Sequence, residues 1–402
     1  MFKSLSLKVI LFGFIFTFFS SFGQSFFIGL FNNSMRAELS ISHGQFGSIY
    51  ASATLLSSLV LIWVGKKIDD MSAFKFSLFV IVLFSFASYF FSTIKIVPLL
   101  FVGIFLLRLS GQGLMSHTSS TTVSRYFEKT RGRALSISWF GLSTAEFILP
   151  VFIVFLLTVT SWQNIWISIS LVLILFLPIV SFVLIKNVTL ETRENSSVTK
   201  NVPNKIKQWK RVEVLKDYRF YIISLNMLAM PSIATGVFVY QSFILSSKNW
   251  GPFVIAQSFM VYSVMSVITL TVAGFLIDKF SSRRLLIFMN IPLFLSAVIL
   301  AKFNSEFSSF VFFAFVGITN GLANVLGSST WAEIYGVKFI GSIKALSTSL
   351  MVFATASGTA IFGILIDYGL SINQISVYSA FYIASCFLIL FFVRNKLEPT
   401  YL

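Results

Sequence analysis

Two charged side chains stand where the sequence offers them no water. Arg108 lies in "LLRLSGQGLMSHTSS" (106–120), about ten residues inside a run that is otherwise apolar or small. Glu146 lies in "GLSTAEFILP" (141–150), thirteen residues beyond the basic Arg133. A guanidinium presents a planar fork of donors that matches a carboxylate. A carboxyl group takes up and releases a proton. Two chemistries follow. Arg108 holds the carboxylate of a bound anion while Glu146 carries a proton, or the two neutralise each other in an ion pair that fixes helix packing.

The elements that must position these charges are long and apolar. Of 402 residues, 56% are hydrophobic and only 11% charged, with a mean hydropathy of +0.88, too little polar surface for a soluble chain of this length. Apolar runs of roughly 20 residues are long enough to cross a hydrocarbon core of about 30 Å. Breaks in hydropathy give twelve candidate spans: 9–31, 43–65, 74–94, 97–124, 133–158, 163–185, 218–246, 252–276, 284–301, 307–332, 341–366 and 373–393. The opening "MFKSLSLK" resembles the start of a signal peptide, but the apolar stretch is too long and no small-residue cleavage site follows, so it is read as a retained first helix.

An even number of spans puts both termini on one side. That side carries 25 Lys and Arg, the opposite loops four (Arg36, Lys95, Lys248 and Lys302), and the positive-inside rule makes the basic side cytoplasmic. The net charge of +16 is then a solvated face near anionic lipid and calls for no nucleic acid. The one cysteine, Cys386, makes neither an internal disulfide nor a zinc site. Without HExxH, paired CxxC or P-loop, the sequence predicts no metal, no cofactor, no enzymatic activity and no ATP-driven pump. Trp162 and Trp250 fall where interfacial aromatic belts form.

The spans divide six and six about a polar stretch, giving bundles at 1–186 and 218–402 and a basic linker at 187–217. Part of that linker, "IKQWKRVEVLK", alternates as a helix suited to lie on the membrane or to tether the halves. The halves repeat each other. "GKKIDD" after span 2 is answered by "GFLIDKFSSRR" after span 8, and "SSTTVSRYFEK" (119–129) by "SSTWAEIYGVK" (328–338) at an offset of 209. "RALS" (133–136) is answered by "KALS" (344–347), and three matches in one order indicate an internal duplication. Internal repeats with the site at their interface are a hallmark of secondary transporters.

Twelve spans, a six-plus-six division and G-x-x-x-D loops resemble the major facilitator superfamily over essentially the whole chain. The family's loop pattern, G-x-L-x-D-[RK]-x-G-[RK]-[RK], is met through Gly274, Leu276, Asp278, Lys279, Arg283 and Arg284, with Ser281 in place of Gly. The first copy keeps Gly65 and Asp69, but Asp70 replaces the basic residue and Ser72 the glycine. Arg108 and Gly113 resemble the family's R-x-x-x-x-G pattern. Tyr126, Phe127, Arg131, Gly132 and Ala134 resemble, more narrowly, the monocarboxylate and oxalate/formate branch. Span 5 keeps Gly141 but lacks the Gly-Pro pair of the drug/proton antiporters.

The resemblance implies an all-α membrane protein of two pseudo-symmetric six-helix bundles around a central cavity lined by spans 1, 4, 7 and 10. Gln24, Tyr240, Gln241, Asn320 and Asn324 then join Arg108 as substrate-binding candidates, or act as helix glue. Glu146 and His117 are the proton-coupling candidates. Gly65, Asp69, Arg131, Arg133, Gly274, Asp278, Arg283 and Arg284 form the inner latches, with the aspartates facing Arg131 and Arg133 or the start of span 11 near Gly341. The expected activity is proton-coupled movement of a small organic anion, a monocarboxylate, by alternating access in a monomer embedded in the inner (plasma) membrane. Movement of a drug or sugar, or a membrane receptor, are the alternatives.

Overall fold

The computed structural model describes residues 4–127, 131–186, 188, 207–336 and 338–400, and for Ser4, Arg131, Gly132, Asp278, Ser328 and Gly341 the backbone only. Among the described residues every regular element is helical. Twelve helices are long and apolar enough to cross a membrane: Leu5–Gly29, His43–Asp69, Ala73–Ser92, Val97–Tyr126, Arg133–Val159 and Trp162–Ile185, then Tyr218–Val239, Val254–Ile277, Ser282–Lys302, Glu306–Tyr335, Ser342–Asp367 and Ile372–Lys396. They are spans 1 to 12. Lipid offers no partners to backbone polar groups, so each apolar run closes its hydrogen bonds within itself as a helix. Local signals set several starts. Ser42 with Gln45, and Ser371 with Gln374, form capping boxes at spans 2 and 12, and Ser72 and Ser161 cap spans 3 and 6.

The chain divides into two compact units, residues 1–196 with 238–242, and residues 197–237 with 243–402. In unit 1, span 1 packs on span 5, span 2 on span 4, and span 3 on span 6. In unit 2, span 8 packs on span 10 and span 9 on span 12. Span 7 meets span 11, where a Cβ on Gly358 would collide with the Ser232 carbonyl. Gly141 of span 5 likewise leaves no room above the Phe14 carbonyl of span 1. Each glycine lets two backbones approach more closely than any side chain would permit. The pairings 1–5, 2–4 and 3–6 thus recur as 7–11, 8–10 and 9–12.

Of the expected linker, 187 and 189–206 lie outside the described residues. In its last part only Arg211–Val214 is helical, and the segment packs into unit 2. Trp209 N–H donates to the Tyr335 carbonyl at 3.0 Å, and Val214 is fully buried in a cluster with Trp331 and Leu397. A second backbone bond, Lys207 N–H to the Thr400 carbonyl at 2.8 Å, and this apolar pocket hold the segment against unit 2.

Candidate functional site

Arg108 is 2% exposed, in the middle of span 4. The backbone around it is irregular in both helices that meet there. Residues Arg108–Met115 form a π-helix, a widened turn that frequently marks a functional position. Span 1 breaks beside it: Ser21–Gly23 is a 3-10 turn, Gln24 is extended, and the helix restarts at Ser25. Gly23 sits so close to Leu107, Gly111 and Gln112 that a Cβ would not fit. Because Phe27 N–H bonds to the Gln24 carbonyl, the Gly23 carbonyl is left for the guanidinium, which donates to it from Nη1 at 3.2 Å.

The remaining surroundings of Arg108 are neutral. Nη1 also donates to Ser25 Oγ at 3.2 Å, and the guanidinium lies 5.4 Å from the centre of the Tyr50 ring. Tyr50 O–H donates to the same Ser25 Oγ at 2.9 Å, which fixes the ring against the cation. Arg108 Nε is buried and has no hydrogen-bond partner among the described residues. The cation therefore has π-electrons, a hydroxyl and a carbonyl around it and, among the described residues, no anion.

The expected Arg108–Glu146 ion pair is not formed. The guanidinium turns to the carbonyl freed by the break in span 1, an acceptor no reading of side-chain types reveals. Glu146 is 9% exposed and makes no hydrogen bond or ion pair among the described residues. Its helix is seated on span 1 by Gly141 and by Thr17, whose hydroxyl donates to the Ser138 carbonyl at 2.5 Å.

The other expected ligand-binding groups are spread more widely. Gln24 is half-buried at the break itself. Tyr240 and Gln241 are buried and already committed to backbone carbonyls of unit 1: Tyr240 O–H donates to His43 at 2.8 Å, and Gln241 Nε2 to Phe26 and Phe238 at 3.0 Å each. In unit 2, Asn320 Nδ2 donates to Ser266 Oγ of span 8 at 2.8 Å, whereas Asn324 is exposed.

At the basic end of unit 1, Asp69 pairs with Arg125, whose Nη1 also donates to the Ile68 carbonyl at 3.1 Å. Arg133, an expected partner, is exposed, and the side chain of Arg131 lies outside the described residues. Arg125 sits on span 4 at the level where the loop after span 2 crosses it, a juxtaposition only the helix pairing creates. Two turns earlier on the same helix, His117 Nε2 lies 3.1 Å from the Gly65 carbonyl. In unit 2 the side chain of Asp278 lies outside the described residues, a Cβ on Gly274 would meet open space, and Arg284 is exposed.

The tie in unit 2 has the opposite polarity. Arg283 Nε lies 3.1 Å from Glu333 Oε1 of span 10, without hydrogen-bond alignment, and Arg283 Nη1 lies 3.2 Å from Glu398. Glu333 also accepts from Ser282 N–H at 2.9 Å and from its hydroxyl at 2.5 Å. A buried pair escaped the sequence reading: Arg219 donates to Asp217 Oδ2 at 2.8 Å and to the Glu398 carbonyl at 2.6 Å, both side chains of the pair being buried. Lys248, on the opposite side, donates to Phe303 O at 2.9 Å and Asn304 Oδ1 at 2.8 Å, and burial lowers its pKa.

The model of the Major Facilitator Superfamily matches residues 13–245 and 223–399. The chain belongs to that superfamily. It is a multi-pass membrane transporter of the family. Solved structures agree on the fold. A bacterial homologue of the human lysosomal transporter Spinster, inward-facing and occupied, superposes with a TM-score of 0.72 at 13% identity, over 97% of this chain and 96% of its own. The nucleoside transporter NupG gives 0.73 at 13% identity over 98% and 100%. A POT family transporter in complex with 5-aminolevulinic acid gives 0.73 at 14% identity over 97% and 96%. At such identities the likeness is one of fold alone. No curated protein matches the sequence.

Proposed function

We propose that this transporter moves a small organic anion, a monocarboxylate, by alternating access and with proton coupling, as a monomer of the inner membrane with both termini in the cytoplasm. One observation carries the reading: Arg108 is a buried cation whose described partners are all neutral. A charge at that depth costs several kcal/mol unless something compensates it, on the order of 2.5 kcal/mol or more. An arriving carboxylate compensates it and finds a donor, Nε, that is not otherwise used. A single cation suits a single negative charge.

Glu146 supplies the proton-carrying group. It is buried and unpaired, so a negative charge there is costly, and taking up a proton removes that cost. Substrate and proton are thus each drawn to a lone charge in the same unit, and an electroneutral cycle needs both. Within the family, the Tyr126, Phe127, Arg131, Gly132 and Ala134 run supports the monocarboxylate and oxalate/formate branch.

The test is a thermal-shift screen of the detergent-purified protein against carboxylates, sugars, nucleosides, amino acids and cationic drugs at two pH values. A ligand held only by the folded state raises its apparent stability by mass action. Carboxylates are expected to shift the transition, more strongly at the lower pH, and to lose that shift in Arg108→Gln. A shift by sugars or drugs alone would return Arg108 to a packing role.

A further inference from the structure

We propose that unit 2 holds an anionic phospholipid of the leaflet on the basic side, its acyl chain in a groove between spans 9 and 12 and its phosphate at Arg394. The groove is a cavity of about 220 Å3 lined by Asn290, Ile291, Phe294, Ile383, Ala384 and Phe387, with almost wholly apolar walls. Its floor is fixed, because Asn290 Nδ2 donates to the carbonyl and the side-chain oxygen of Asn226 on span 7 at 2.7 and 2.9 Å.

The duplication sets this groove against its counterpart in unit 1. At the offset of 209 that relates the halves, Phe294 corresponds to Ser85 of span 3. There spans 3 and 6 are drawn shut by reciprocal bonds, Ser85 Oγ to the Ser170 carbonyl at 2.9 Å and Ser170 Oγ to the Ser85 carbonyl at 2.8 Å. Spans 9 and 12 show no such clasp among the described residues: at the same offset Ser170 corresponds to Ser379, whose Oγ donates to the Ile375 carbonyl of its own helix at 3.0 Å, and Phe294 lines the groove with Ile383 and Ala384. An apolar space facing lipid takes a hydrocarbon chain rather than water.

Charge selects the lipid. Arg394 lies seven residues beyond Phe387 on span 12, hence on the same helix face and about 10 Å nearer the basic end. It is exposed, its guanidinium rests 4.0 Å from the centre of the Phe391 ring, and no carboxylate pairs with it among the described residues. Exposed Phe391, whose ring centre lies 6.0 Å from that of Phe387, continues the apolar track between groove and guanidinium. Arg284 and Lys396, both exposed, add positive charge at the same end of these two spans. A phosphate at Arg394 thus leads directly into an acyl chain that reaches Ala384.

The experiment compares lipids of identical acyl chains on the full-length, detergent-purified protein, reading the thermal transition and the retained lipid by native mass spectrometry. Phosphatidylglycerol is expected to raise the transition more than phosphatidylcholine and to remain bound as one molecule. Arg394→Gln is expected to abolish that excess while leaving the lipid-free transition unchanged, because the side chain is exposed. Ala384→Leu, which fills the groove, is expected to remove the response to both lipids. Equal stabilisation by the two lipids, an excess that survives either substitution, or a full response to glycerol 3-phosphate without acyl chains would each overturn the proposal. None of these readouts depends on which solute is transported.

Discussion

Arg108 is held by three weak neutral partners instead of one strong anionic one, and that choice makes it available. Its acceptor on span 1, the Gly23 carbonyl, exists only because the helix is interrupted there. Replacement by lysine keeps the charge but loses the fork and the flat contact with Tyr50. We expect Arg108→Lys to weaken binding of the transported anion by roughly ten- to a hundredfold, matching about 1.5–3 kcal/mol for a charged hydrogen bond. Binding measured by calorimetry at fixed pH checks this; unchanged affinity would mean that the fork does not touch the ligand. Glu146→Gln makes a different prediction. A permanently neutral side chain should retain binding and exchange of labelled solute but lose accumulation driven by an imposed proton gradient. Accumulation that survives in proteoliposomes would remove Glu146 from the coupling step.

At the scale of elements, the two latch loops solve one problem with opposite charges. Unit 1 places the carboxylate on the loop and the guanidinium on span 4 (Asp69, Arg125), whereas unit 2 places the guanidinium at the start of span 9 and the carboxylate on span 10 (Arg283, Glu333). Exposed pairs contribute only about 0–1 kcal/mol, so Arg125→Gln should leave the melting transition nearly unmoved while slowing transport. A large fall in stability would instead mark the pair as structural. The two loops also differ where the family pattern has glycine. Ser72 has ordinary extended backbone and caps span 3 by accepting from Lys75 N–H. Ser281, by contrast, has φ +68° and ψ 149°, a conformation that glycine adopts without strain and other residues at a cost of roughly 1–3 kcal/mol. Ser281→Gly should therefore raise the thermal stability of the protein, and a neutral or negative change would show that the strain is relieved elsewhere.

For the whole molecule, the orientation proposed from the distribution of Lys and Arg can be tested directly. Cys386, the one native thiol, is buried in span 12 and should resist a membrane-impermeant maleimide. A cysteine placed at exposed Lys216 should label only after the membrane is opened, and one placed at exposed Phe303 should label in intact cells. The reverse pattern would invert the topology. The recurrence of the pairings 1–5, 2–4 and 3–6 as 7–11, 8–10 and 9–12 gives the six-plus-six repeat a physical form. The same comparison sets the clasped seam between spans 3 and 6 against the open one between spans 9 and 12.

Hydropathy and charge alone determined the number of spans and the division into halves, because a hydrocarbon core imposes a length on every crossing and leaves only helices to make it. They also singled out Arg108 and Glu146, since a charge inside such a run has no innocent surface to occupy. Tertiary structure decided the partners. Asp69 meets Arg125 because span 4 carries that residue beneath the loop, and Arg108 meets Gly23 because two glycines let broken backbones touch. Both depend on where one helix lies against another. Side-chain type names what a residue is able to do, while the approach of a second backbone decides which of its bonds are already spent.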